Sequence, residues 1–441
     1  MSNLTMQHIL DDRLYIAQGV EDLPTSDQFR IFNPEARIKY EAFCDDFGPM
    51  NMASIARFIN QLDCELADHP SCRIFYCVDD GRRHLTNAVF LLGAYMIFRC
   101  NATLDQLSDS FSWLGADQFE EYRDATFTAP TFRLSLEDCW GGLLKGLRNR
   151  WVQLPDDGRD RDFWGPIDIA EYAHYDSPVN ADLNEVVPGL FVAFRGPQDL
   201  GGAEYLDDAR GFRRFSPHFY LDAFDDLGVT TVVRLNEARY DADAFEREGI
   251  RVVALEFEDC TAPPPRVVDA FLAAVDATDG CVAVHCHAGL GRTGTLIALY
   301  MMRSHGFTAR EAMGWLRIMR PGSVIGEQQA YLCRQEEEQG GVPVVGQDGG
   351  LERGRIPPHT PDGSSELASS PPSAGVGEPT ARACPGSASE FGSGGDSDVR
   401  GLGSDRVSRA ASAASQAADV SAAMERRAAE LGRRSSSQYP Q

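Results

Sequence analysis

Lysine is almost missing from this chain: Lys39 and Lys145 are the only two among 41 basic residues. A polyanionic lipid headgroup asks for lysines around its seat, so a phosphoinositide substrate is disfavoured. No apolar run reaches about 18 residues, so no membrane-spanning helix is expected. The opening residues, Met1 to His8, lack the charged-then-apolar order of a secretory leader. A disulfide framework is missing too, because the 11 cysteines are odd in number and irregularly spaced. That usage points to a reducing compartment, cytosol or nucleus.

Charge of one sign is what the chain has in excess. Its net charge is −25, and residues 341–441 hold 12 acids against 10 bases, so nearly all of the excess falls on residues 1–340. An acidic body disfavours nucleic acid and anionic membrane surfaces and favours basic partners. Its 441 residues have room for two or three domains, and a hydrophobic content of 43% suffices for a core.

Residues 1–160 read as a mixed α/β unit. Strands are expected at 13–17 and 73–78, and helices at 50–66, 85–98 and 134–147. An acidic connector, 161–185, follows. Residues 186–338 repeat the rhythm, with strands at 190–194, 229–235, 252–257 and 281–285. Helices are expected at 266–277, 292–304 and 309–320, which suits a mainly parallel sheet with helices on its faces. From about residue 339, Gly, Ser, Ala and Pro dominate, and disorder is expected to the end, save a transient helix near 411–434.

The stretch richest in chemistry runs from Val282 to Gly294, VAVHCHAGLGRTG. It reads as a buried strand, a glycine-rich turn and a helix start. Such a turn aims backbone N–H groups inward and adds the positive end of a helix dipole, a seat for phosphate. His287, Ala288, Gly289, Leu290 and Gly291 would line it. Cys286 opens the turn as a nucleophile that ionises easily. Arg292, six positions on, grips two phosphoryl oxygens with its planar fork. Thr293 would donate a hydrogen bond to the departing thiolate.

Spacing alone is weak, because Cys77 and Arg83 imitate it after another strand, and about one such pairing is expected by chance. That first turn carries Asp79 and Asp80 where a phosphate would go, so it is read as inert. The glycines and the apolar strand at Cys286 decide between the two.

Expelling an alcohol or phenol requires a general acid. The loop Leu255 to Pro265, LEFEDCTAPPP, offers Glu256, Glu258 and Asp259, which sequence chemistry alone does not separate. Hydrolysis of the intermediate requires a held water, for which adjacent Gln328 and Gln329 are candidates. No cofactor and no metal is expected.

The chain resembles the cell-division-cycle-fourteen subfamily of dual-specificity protein phosphatases, in the cysteine-based tyrosine phosphatase superfamily. The resemblance covers about residues 10–335. Its landmarks are the stretches YEAF at 40–43, DFGP at 46–49, AVFLLGAY at 88–95, EYAHY at 171–175, VPG at 187–189, AFRGP at 193–197, VRLN at 233–236, the cysteine loop, and Arg320 to Gln329. It implies an α/β architecture of two tandem dual-specificity-phosphatase-like domains joined by a helical linker, only the second being catalytic. It selects Asp259 as general acid, Cys286 as nucleophile, Arg292 as clamp and Gln328 or Gln329 for the water. It also implies phosphoprotein substrates with Ser-Pro sites and a nearby basic residue, the latter read by an acidic groove of Glu171, Asp176 and Asp182. Nuclear and cytoplasmic action against cyclin-dependent kinases, at nucleolus, centrosome, basal body or spindle, belongs to the same implication.

Three positions depart from the family pattern. Ala173 stands for a groove glutamate, His287 for a lysine and Cys260 for a glycine. Weaker basic selectivity, more pH sensitivity near neutrality and a stiffer acid loop are expected. The rival reading of another class, an inactive docking module, is disfavoured because every catalytic group is present. In the tail, Thr360-Pro361 and Ser370-Pro371 read as targets of proline-directed kinases. The pairs Arg426-Arg427 and Arg433-Arg434 read as a weak import signal.

Overall fold

Two β-strands, β1 (Thr5–Leu10) and β2 (Leu14–Gln18), open the N-terminal lobe as a hairpin, followed by β3 (Phe29–Phe32). Helix α1 (Met52–Asp68) starts where the Asn51 side chain accepts the Ser54 N–H. Strand β4 (Arg73–Val78) then runs parallel between β2 and β3. Helix α2 (Arg82–Cys100) is apolar on every face from Leu85 to Phe98 and is accordingly buried. Helix α3 (Leu104–Ser110) and helix α4 (Leu136–Arg148) each begin in a reciprocal capping box, Thr103 with Gln106 and Ser135 with Asp138.

This computed structural model describes residues 5–19, 26, 28–35, 38–126, 129–155, 161–209, 212–338 and 340. The expectations for the tail lie outside these residues. No described helix is long and apolar enough to cross a membrane, and the described cysteines are all free.

The connector differs from a continuous linker helix. It holds a two-residue ribbon, β5 (Phe163–Trp164) with β6 (Ile167–Asp168), and then helix α5 (Ile169–Asp176). Asp168 caps that helix through the N–H groups of Ala170 and Glu171. Ser177, extended because Pro178 follows, ends it after two turns. Residues 183–185 already belong to the second sheet.

That sheet takes β7 (Leu183–Val187) and β8 (Phe191–Phe194), with a side ribbon of β9 (Tyr205–Asp207) and β10 (Arg213–Phe215). Helix α6 (Leu221–Asp226), β11 (Val229–Arg234), α7 (Asp243–Glu246), β12 (Arg251–Ala254) and α8 (Pro265–Asp276) follow. The chain then enters β13 (Cys281–His285), α9 (Gly291–His305), α10 (Ala309–Met319) and α11 (Glu327–Glu338). Strand order is β12-β11-β13-β8-β7, and the four strands β12, β11, β13 and β8 run parallel. Central β13 is buried along its whole length, as its apolar run anticipated. Its C-terminal end opens on the crevice where ligands of such sheets bind.

The lobes meet where α4 crosses α10. Gly142 lets the two backbones touch: a Cβ there would lie 2.5 Å from the Glu311 carbonyl oxygen and 2.6 Å from the Trp315 nitrogen. Gly314 makes the reciprocal approach to Asp138 and Cys139. The Trp315 indole donates to the Val186 carbonyl oxygen at 2.8 Å, and Arg310 pairs with Asp138 at 3.0 Å.

His305, at the end of α9, lies edge-on to Trp151 at 4.9 Å, with its Nε2 buried and without a partner among the described residues. Burial lowers its pKa from 6.5 to about 4. Between these values the unfolded chain takes up a proton that the native state refuses, so stability falls as pH drops from 6.5 toward 4. The slope is about 1.4 kcal/mol per pH unit. A His305→Phe variant should therefore lose less stability than the parent between pH 6.5 and 4.5 in urea titrations. Parallel losses would show that this imidazole does not titrate in the window.

Candidate active site

The first cysteine-arginine pair is taken up by its own lobe. Cys77 lies inside β4 rather than beyond it, packed with Ala17 and Phe75, and burial raises its thiol pKa. The turn that follows is filled from within: Glu35 accepts the Asp79 N–H at 3.3 Å and pairs with His84 at 3.0 Å. These three bring ligand-type atoms within 4.8 Å of one another. A metal there would face the positive end of the α2 dipole. Arg83 reaches sideways to Asp45 and Glu120, each at 3.0 Å.

Cys286 instead is the first residue past its strand, at the floor of a five-residue bend leading into α9. Gly289 takes φ +70°, and a Cβ on it would collide with the Phe194 carbonyl oxygen. Two of the loop's carbonyl oxygens are held by a side chain to which no local sequence pattern assigns a role. Buried Arg320 donates from Nε to the Gly289 oxygen at 2.8 Å and from Nη2 to the Ala288 oxygen at 2.9 Å. Its Nη1 donates to Asn184 Oδ1 at 2.7 Å.

Directly before the cysteine, His285 is buried and its pKa falls to about 3, chiefly by desolvation. Its Nδ1 lies 3.0 Å from the Cys286 carbonyl oxygen, which only accepts, so the single ring proton resides on Nδ1. Nε2 then accepts from the Tyr240 hydroxyl at 2.8 Å. A neutral histidine thus ties the base of the loop to the segment after β11.

Arg292, in the first turn of α9, is 4% exposed and donates from Nη1 to the carbonyl oxygens of Phe257 (3.0 Å) and Leu235 (3.3 Å). Its Nε is 3.1 Å from Asp259 Oδ1, an ion pair whose N–H direction falls outside hydrogen-bond geometry. The structure thereby separates the three loop acids: Asp259 reaches the arginine, while Glu256 and Glu258 are exposed. Asp259 Oδ1 also accepts the N–H of Cys260, which holds the left-handed φ of +57° that a glycine would take freely. Thr293 is fully buried, and its hydroxyl has no partner among the described residues.

The two glutamines part company. Gln329 is spent on structure: Oε1 accepts from Arg317 at 2.7 Å and Nε2 donates to the Gly326 oxygen at 3.2 Å. Gln328 is bonded too, its Oε1 accepting the Ile325 N–H at 3.3 Å, but it faces the loop: that oxygen is only 2.9 Å from where a Cβ on Gly291 would be. Its Nε2 donates to the Thr261 oxygen at 3.2 Å, joining this segment to the acid loop.

Among the groove acids, Asp182 is a correction. Its carboxylate bridges Arg195 (3.0 Å) and Arg320 (2.8 Å) behind the cysteine loop, so its charge is consumed there and not offered to a groove. Asp176 accepts from the side chains of Asn51 and Asn184 at 3.2 and 2.9 Å. Glu171 alone is exposed, its pKa raised by burial of its stem and by Asp168 and Asp226.

His287 also departs from expectation. Desolvation first, then Arg239, Arg195 and Arg292, hold its pKa below 6.5 against the pull of Asp259. Its titration therefore lies on the acid side of neutrality. Beside the loop, nearly fully buried Leu290 and Ile325 form an apolar cluster with partly buried Ala288 and with Phe43 from the N-terminal lobe. No periodicity pointed to Phe43 as a neighbour of the site, although the landmark stretch contains it.

Two family models match the chain. One, described as the N-terminal half of dual specificity protein phosphatase, matches residues 8–146. The other, described as the DSP-PTPase phosphatase domain of Swiss Army Knife proteins, matches residues 220–335. The chain is 36% identical over 346 residues to the tyrosine-protein phosphatase cdc-14 of Caenorhabditis elegans, covering 76% of this chain and 47% of that protein. It is 35% identical over 340 residues to the human dual specificity protein phosphatase CDC14A, covering 76% and 54% respectively. Against human CDC14C it is 32% identical over 329 residues, covering 74% of this chain and 70% of the relative. It thus spans about half the length of the first two of these relatives. With both lobes matched in order and about three-quarters of its length aligned, the chain belongs to the Cdc14-type dual-specificity phosphatase family.

Proposed function

We propose that this protein removes phosphate from serine and threonine ahead of proline, and from tyrosine, through a phosphocysteine intermediate. The observation that carries the reading is the pairing of Arg292 with Asp259, 3.1 Å apart, at the start of the helix into which the Cys286 loop runs. In the first step the Cys286 thiolate attacks phosphorus. The bond to the leaving oxygen breaks, and Asp259 supplies that oxygen with its proton. Arg292 and the inward N–H groups of residues 287–291 take up the charge on the equatorial oxygens. In the second step Gln328 orients a water, and Asp259 takes one of its protons as the water oxygen bonds to phosphorus. The S–P bond breaks, inorganic phosphate leaves, and the Cys286 thiolate is received by the Thr293 hydroxyl, which has no partner among the described residues.

Domain roles follow the same reading: residues 1–160 shape specificity, 161–185 connect, and 186–338 catalyse. The apolar cluster of Phe43, Ala288, Leu290 and Ile325 suits a proline ring directly after the phosphoresidue. Glu171 is left to attract a downstream basic residue, with Ala173 adding no charge beside it. Such substrates are products of cyclin-dependent kinases, met in nucleus and cytoplasm, with nucleolus, centrosome, basal body and spindle included, during cell division or at cilia.

A phosphopeptide panel tests this. Ser-Pro peptides should exceed Ser-Ala peptides by at least about tenfold in kcat/KM, as a filled apolar pocket allows. A basic residue three places on should add only about threefold, the worth of one exposed charge. Preference for phosphotyrosine over Ser-Pro would overturn the specificity and leave the cysteine chemistry standing.

A further inference from the structure

The segment that leads to Gln328 turns through three positive φ angles, one of them at a valine. Gly322, Val324 and Gly326 take φ of +84°, +62° and +60°. For a β-branched valine this is a genuine outlier, and such conformations persist only where surroundings over-determine them. Three of the constraints come from the catalytic lobe. Arg317 Nη2 donates to the Val324 oxygen at 3.1 Å, Arg317 Nε donates to the Ser323 oxygen at 3.1 Å, and the Val324 N–H donates to the Leu290 oxygen at 3.3 Å.

A further constraint comes from the other lobe. The Gly326 N–H donates to Asp124 Oδ2 at 2.6 Å, across 202 positions of sequence. Asp124 is 4% exposed, and its second oxygen accepts from Thr126 at 3.3 Å. Its neighbour Arg123 donates to Asp45 Oδ2 at 2.7 Å and to the Thr126 oxygen at 2.9 Å. Asp45 in turn holds Arg83, so the arginine of the inert loop braces the very segment that reaches across. A charged, buried acceptor on a half-buried N–H is the strong kind of hydrogen bond, and this one fixes the residue two positions before Gln328.

We infer that Asp124, in the lobe without a nucleophile, is a positioning residue for the hydrolytic half of the reaction, setting Gln328 over the phosphocysteine. The inference rests on the phosphocysteine reading above. It follows that Asp124 matters for the second step and little for the first, since Cys286, Arg292 and Asp259 are anchored through other bonds.

The test uses the full chain with a 32P-labelled Ser-Pro phosphopeptide in rapid-quench experiments that follow formation and decay of the labelled enzyme. Asp124→Ala should leave the formation rate within about twofold and slow decay about tenfold, the scale set by sub-ångström misplacement of a catalytic group. Asp124→Asn keeps an oxygen acceptor without its charge, so it should slow decay only about two- to threefold with formation unchanged. Should the alanine variant fail to fold, the split between the two rates in Asp124→Asn decides alone. Equal slowing of both steps, or no slowing of decay, overturns the inference. A parent enzyme that turns over with no labelled intermediate overturns the proposed function instead, so the two failures are distinguishable.

Discussion

Turnover on phosphopeptides is expected to fall by about 10⁴-fold or more in a Cys286→Ser variant, because an alcohol is a far weaker nucleophile than sulfur. Binding should survive. Arg292, the loop N–H groups and the apolar cluster all remain, and Arg320 still holds the Ala288 and Gly289 carbonyls. The variant should retain a phosphopeptide with a Kd within a few-fold of the parent's KM, measured by calorimetry or fluorescence. Survival of cellular activity in Cys286→Ser would instead mark the protein as a docking module whose intact site is incidental. An ordinary surface cysteine shows neither outcome, which makes this variant the sharpest divider between the two classes of function.

The second large effect concerns the α4–α10 crossing. Gly142→Ala places a methyl 2.5 Å from one backbone atom of α10 and 2.6 Å from another, and neither can rotate away. Separating the helices opens the packing around Trp315, so a loss of about 3 kcal/mol is expected, at the upper end for overpacking. That corresponds to a Tm lower by about 4 °C for a folded unit of this size. Gly141→Ala, one residue earlier, meets only the flexible Glu311 side chain at 3.1 Å. It should fall within about 0.5 kcal/mol of the parent, since helix propensity rises. Equal losses from both substitutions would mean that the crossing is not as close as described.

Why the sequence revealed some of this and hid the rest follows from where each signal resides. Strand β13 and the loop after it were legible because burial, glycine and charge fall within 13 consecutive residues. The strands and helices with long apolar runs, such as β4 and α2, were legible for the same reason. The short edge strands β1 and β3 were not seen, since few buried residues mark them. The helical character of the connector came from the family resemblance alone, and the structure keeps it only for Ile169–Asp176, where Pro178 follows the cap residue. Asp182 shows the limit most clearly. Its sequence neighbourhood is acidic, and only the three-dimensional arrangement brings Arg195 and Arg320 onto its two oxygens. Asp124 and Phe43 act on the site from another lobe, and no local pattern encodes a contact 202 positions away.

The pairing of Arg83 with Asp45 and Glu120 has a further consequence. An activity at the N-terminal loop would require its arginine to let go of both acids and its Asp79, Asp80 and Glu35 to be cleared. Releasing Asp45 would slacken Arg123 and with it the segment that grips Gly326. Each step toward a second working centre would thus weaken the first. On the domain roles proposed above, an N-terminal lobe without activity would behave as a ratchet, easily held and costly to reverse one residue at a time.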